Sequence, residues 1–173
     1  FKSPACQYIK QTTIISKKAE ELTRDIAGTP GSRRDKLMMY DSVFIPLISY
    51  TLAQLFLTHQ QLESISKIYR QRIYAQCGYN RNTAGLIMQG PKHLGGAGFT
   101  PLQAIAGSGH VLHFLKHWRL PTERVCKILR IVTAWAQYQS GLGNSILINV
   151  TSNLSYVDER FIQAVCAYLE SIG

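Results

Sequence analysis

Residues 90–99 read GPKHLGGAGF, and how these ten residues are read decides the fold. Four glycines and a proline could cradle a phosphate, which would place the chain among α/β nucleotide-binding folds. They could instead form a tight turn between helices. A P-loop closes on Gly-Lys-Ser/Thr, so that lysine and hydroxyl reach phosphate and metal. Here Lys92 precedes the glycines and Phe99 follows them. A dinucleotide fingerprint needs Gly-x-Gly-x-x-Gly between a buried strand and a helix. Gly95, Gly96 and Gly98 have the wrong spacing, and no strand–helix alternation surrounds them. The run is therefore expected to be structural, with glycine allowing a tight turn or a close backbone approach.

Outward from this run the patterns are helical. Residues 3–27 carry Ile9, Ile14, Ile15, Ala19, Leu22 and Ile26 at helical spacing, against a β-branched middle of lower propensity. Gly28-Thr29-Pro30-Gly31 ends that segment. Ser32 with Asp35, and Thr58 with Gln61, have capping-box spacing and predict helices starting after each. Leu37, Tyr40, Phe44, Leu47, Ile48 and Leu55 line the inner face of the first of these, with a break expected at Pro46, which has no backbone donor. Leu62, Ile65, Tyr69 and Ile73 form the core stripe of the second, which spans 59–76. Thr100-Pro101-Leu102-Gln103 reads as a third capping box, with proline at the first helical position, and predicts a helix to about Trp118. Pro121 opens another that ends near Ser140. SILINV (145–150) reads as a short strand, and 157–171 as a final helix with Phe161, Ile162, Val165, Tyr168 and Leu169 inward. The expected fold is mainly α, a bundle of about six helices in two blocks, 1–90 and 91–173, joined by the Gly/Pro-rich turn or fused into one continuous domain.

The 173 residues are 46% hydrophobic and 17% charged, a balance that excludes a disordered tail. The most apolar stretch, 43–57, is interrupted by Pro46, Ser49, Tyr50, Thr51 and Gln54, so no segment reads as a membrane span. The chain starts at Phe1, and its last residue, Gly173, directly follows an apolar stripe. It is therefore expected to be a piece of a longer polypeptide. No secretory signal pattern is present, so an intracellular site, nuclear or cytoplasmic, is expected. Cys6, Cys77, Cys126 and Cys166 are too scattered for a metal knuckle and read as small hydrophobes. Nineteen Lys and Arg stand against ten Asp and Glu, for a net charge of +9. That excess points to a polyanionic partner, nucleic acid first.

Candidate chemistry is sparse. His110, His113 and His117 share one helical stripe, but no thiol or carboxylate accompanies them on that helix and Lys116 and Arg119 would repel a cation, so they read as solvated or phosphate-facing and no metal site is assigned. Carboxylates do not converge as two-metal phosphoryl transfer requires, and no nucleophile elbow is present. No catalytic residue is assigned, and the segment is not expected to be an enzyme on its own. What remains is basic. Lys67, Arg70, Arg72, Tyr74, Tyr79 and Arg81 form one cluster, with Lys67, Arg70 and Tyr74 on a helix face offset from the core stripe. Lys116, Arg119, Arg124, Lys127 and Arg130 form the other. Lys and Arg neutralise phosphates, while Tyr can stack on a base.

Four blocks occur in order: SRRDKLMMYDSVFIPLISYTL (32–52), GYNRNTAGLIMQGPKHLGGAGF (78–99), FLKHWR (114–119) and QSGLG (139–143). Their succession resembles the region after the catalytic palm in retroelement reverse transcriptases of the non-LTR-like kind. Thr83-Ala84-Gly85 stands where that pattern usually has Pro-Arg-Ala, and Ala97 where it has leucine. The resemblance implies a thumb-like block followed by a connection-like block, non-catalytic, that grips a template–primer duplex of RNA and DNA beside the remaining domains of a polymerase. It also implies an RNA-directed DNA polymerase as parent, with Mg²⁺ bound in an upstream palm and no cofactor in this segment. The alternative expectation is a helical protein-interaction module with no nucleic-acid role.

Overall fold

The computed structural model describes residues 4–80, 82–148 and 154–172, the first six of these by backbone alone. The chain is mainly α, with no strand among the described residues. Helix α1 (Pro4–Gly28) precedes α2 (Arg33–Met39), which runs through a π-helical turn (Tyr40–Phe44) into α3 (Ile45–Leu52). Next come α4 (His59–Gln76), the short α5 (Gly85–Gln89), α6 (Leu102–Trp118), α7 (Arg124–Ser140) and α8 (Arg160–Ser171). Two compact units divide at Ile105/Ala106, inside α6.

The first unit pairs α1 with α4. Burial of Ile15, Ala19 and Ile26 against Leu62, Ile65, Tyr69 and Ile73 outweighs the weak propensity of the β-branched turn, because tertiary packing supplies most helix stability. Ile14 falls outside that stripe and is exposed. The capping boxes expected at Ser32 and Thr58 form: the Ser32 hydroxyl accepts from the Asp35 backbone N–H, Thr58 accepts from Gln61, and the Asp35 and Gln61 side chains accept from the Ser32 and Thr58 amides in return. Helix α6 begins at Leu102, two residues after Thr100, where the third was expected. The break at Pro46 takes the form of the π-turn, in which the Ile45 N–H reaches back to the Tyr40 carbonyl. Widening the turn ahead of the proline eases the clash its ring makes in a regular helix.

A sequence scan for periodicity passes over Lys36. It is buried, and its ammonium donates to the carbonyls of Ile26, Ala27 (3.0 Å) and Thr29. These lie at the C-terminal end of α1, where orphan carbonyls and the negative end of the helix dipole favour a cation. One lysine thus closes α1 from the following helix.

The glycine run does not separate the two blocks at 90/91. It folds back on α5: Ala97 N–H donates to Ile87 O, Phe99 to Met88 O and Gly98 to Gly90 O, each at 2.9 Å. A Cβ on Gly96 would lie 2.1 Å from the Gly90 carbonyl oxygen. Gly95 and Gly98 take φ of 84° and 76°, in the left-handed region that glycine enters without steric cost. The return delivers Phe99 into a ring cluster with Tyr40 (5.0 Å between centroids), Tyr74 (4.6 Å) and Tyr79 (5.8 Å). Residues 91–105 therefore belong with the first unit, and the division lies fifteen residues beyond the expected one.

The second unit packs α7, α8 and the later part of α6 around Phe114, Leu129, Ala136, Ile146, Val157, Ile162, Val165 and Cys166. Tyr168 presses its ring on Gly107, where a Cβ would come within 2.0 Å of the ring. The strand expected over 145–150 is a turn at 146–148; residues 149 and 150 lie outside the described residues. Gln137 explains the difference. Its amide oxygen accepts from the Ile146 N–H at 2.6 Å, and its nitrogen donates to the Leu142 and Asn144 carbonyls. The segment is thereby satisfied by a side chain, without the neighbouring strands a sheet requires.

Candidate nucleic-acid interface

The first basic cluster lies on α4, and the fold distributes its members among different tasks. Lys67 is exposed and meets no carboxylate among the described residues. Arg70 is half-buried and pairs with Glu63 at 2.9 Å. Arg72 points toward α1, 3.8 Å from Glu20. Tyr74 is buried against Phe99 and presents no free ring to a base. On a helical wheel Tyr74 shares the face of Lys67 and Arg70, yet the returning 97–99 segment covers that face at the C-terminal end of α4. Its phenol pKa is pushed up to about 12, chiefly by burial. Arg81 lies outside the described residues.

The second cluster keeps its charge in solvent. Lys116, Arg119, Arg124 and Lys127 are exposed at the end of α6 and the start of α7, and none meets a carboxylate among the described residues. Glu123, the one acid within this stretch of sequence, lies 3.3 Å from His117 Nδ1. Arg130 is set apart, its guanidinium 5.6 Å from the Trp118 ring centroid. Helix polarity treats the cations unequally. Lys116 sits in the last turn of α6, where the dipole favours positive charge. Arg124 is the first residue of α7, beside unpaired backbone N–H groups, and that first turn holds no acid. A cation there costs a few tenths of a kcal/mol or more, a cost that an approaching anion reverses.

The histidines do not act as one stripe. His110 is buried, its ring edge-on to Phe161, so it belongs to the second unit's interior and not to a solvated face. His113 and His117 meet edge to face at 4.5 Å. Desolvation first, then the neighbouring His117 and Lys116, lower the His113 pKa. Among the described residues no group of three or more His, Cys, Asp or Glu is placed to hold a metal ion. No helix among them is long and apolar enough to cross a membrane. Cys77, Cys126 and Cys166 are free thiols, the last two buried, and burial raises the Cys166 pKa to about 11.

Sequence reading missed one surface feature. Trp135 and Tyr138 stack on each other in solvent, 5.6 Å between centroids and 28° between planes, on the outer face of α7. The 4-3 spacing of Ile128, Ile131, Trp135 and Tyr138 was the available signal. No protein-family model, curated protein or solved structure gives a significant match to this chain.

Proposed function

We propose that this chain grips a nucleic-acid duplex through the α6–α7 corner, as a non-catalytic segment of a reverse-transcriptase-like protein. The observation that carries the reading is the set of exposed cations Lys116, Arg119, Arg124 and Lys127, placed within twelve residues and unneutralised by carboxylates. Such a set is suited to phosphates spaced along a backbone and carries no base-reading element, so binding is expected to be independent of sequence. The polymerase parent and its Mg²⁺ rest on the ordered sequence blocks alone. The test is titration of a labelled RNA–DNA hybrid at several salt concentrations. Lys116→Ala with Arg119→Ala should leave the thermal melt unchanged and lower the slope of log K against log salt by about 2. An unchanged slope, or no binding by the wild type at low salt, overturns the reading.

A second reading, a helical protein-interaction module, is favoured by the exposed apolar face of α7, where Ile128, Ile131, Trp135 and Tyr138 are each more than half exposed. Single exposed apolar residues are ordinary on a protein surface, whereas a contiguous stripe marks an interaction site.

A further inference from the structure

Helix α7 is apolar on two opposite faces. Cys126, Leu129, Ala136 and Ser140 point into the second unit. On the other side Arg124, Ile128, Ile131, Trp135 and Tyr138 follow one another at spacings of four, three, four and three residues. That is the repeat of a coiled-coil seam, in which each side chain seats between those of a facing helix. The seam is 60% exposed at Ile128, 69% at Ile131, 55% at Trp135 and 77% at Tyr138.

We propose that this seam pairs with the same seam of a second copy of the chain, with the two α7 helices antiparallel. The two ends of the seam differ in chemistry, and that fixes the direction. Arg124, with Lys127 beside it, is cationic at the N-terminal end; the Trp135–Tyr138 stack occupies the C-terminal end. Parallel helices would set Arg124 against the partner subunit's Arg124, a repulsive contact, and the neighbouring Glu123 is already engaged with His117. Antiparallel helices, with Ile128 facing the partner subunit's Ile131, bring Arg124 over the partner subunit's Trp135. A guanidinium over an indole face is attractive. Arg130 already makes that kind of contact with Trp118 within the unit.

Two-fold symmetry repeats each contact, so one stripe serves both sides of the interface. Covering the stripe removes on the order of 600 Å² per copy, which puts the pair at the lower edge of stable interface sizes. The second unit opposes the pairing little electrostatically, since it holds six Lys and Arg against four Asp and Glu, while the first unit holds thirteen against six. Lys116 and Arg119 lie outside the seam, whereas Arg124 belongs to it and Lys127 flanks it, so the pairing shares part of the surface proposed to grip nucleic acid.

Sedimentation of the nuclease-treated full chain from about 1 to about 100 µM, in moderate salt, tests the proposal. A reversible monomer–dimer equilibrium with a micromolar Kd is expected. Ile131→Glu should be monomeric throughout that range, with an unchanged thermal melt, and Trp135→Ala should do the same if the glutamate variant melts early. Arg124→Glu should weaken the dimer at least tenfold, roughly. A wild type that stays monomeric at the highest concentration overturns the proposal, as does a dimer that survives Ile131→Glu and Trp135→Ala. Monomers that instead take up anionic vesicles or an acidic amphipathic peptide through this face would also overturn it, by assigning the seam another occupant.

Discussion

Tyr74 shows how one residue can change role between sequence and fold. Its position on α4 places it with the cations, but Phe99, brought in from a later segment, takes it into the core. Tyr40 and Tyr69 belong to the same ring cluster, and burial raises the pKa of both. Below about pH 10 the folded and unfolded chains both keep these phenols protonated. Above it the unfolded chain ionises while the folded one holds its protons, so stability falls as pH rises, by about 1.4 kcal/mol per pH unit for each such group. For Tyr74 that loss runs from the unfolded value up to its folded value of about 12. Urea midpoints should therefore drop steeply between roughly pH 10 and pH 12. Tyr74→Phe should flatten that drop; an equally steep drop in the variant would mean that the phenol is not buried in the fold.

At the scale of elements, the glycine run and Lys36 both act as closures. Lys36 ends α1 by giving its ammonium to that helix's last carbonyls. The run at 90–99 closes α5 onto its own return segment, and only a residue without Cβ fits at Gly96. Gly96→Ala forces two backbones apart and withdraws Phe99 from three tyrosines, so a loss of at least about 3 kcal/mol is expected. Chemical denaturation with tyrosine fluorescence would measure it, and an unchanged midpoint would rule out the close Gly90–Gly96 approach. Gly95, five residues after Gly90, has open space around it and needs glycine for its positive φ alone.

For the whole molecule, net charge does not tell which cations stand free of carboxylates. The first unit carries the larger excess, yet Arg70 and Arg72 face carboxylates and Lys36 is buried. The second unit has the smaller excess, but four of its cations, Lys116, Arg119, Arg124 and Lys127, are exposed within one short stretch. Lys67→Ala with Arg70→Ala should consequently reduce the salt slope of hybrid binding by no more than about 1, against about 2 for the pair at the end of α6. A drop of about 2 from the α4 pair would return the gripping surface to α4.

Sequence alone determined what depends on local chemistry. Capping boxes at Ser32 and Thr58, the inward stripe of α4 and the disturbance at Pro46 follow from hydrogen-bond supply, helical period and a missing donor, all contained within a few residues. The mainly α character followed from the same signals, together with the failure of GPKHLGGAGF to satisfy any phosphate-loop pattern. Tertiary structure alone decided the rest, because burial and pairing depend on residues distant in sequence. Phe99 buried Tyr74, Glu20 took Arg72, Gln137 replaced a strand's partners at Ile146, and the return of residues 96–99 moved the division between units into α6. The candidate interface was legible as composition at Lys116, Arg119, Arg124 and Lys127. The pairing of Arg70 and Arg72 on α4 was not, since whether a cation is free depends on which carboxylates the fold brings beside it.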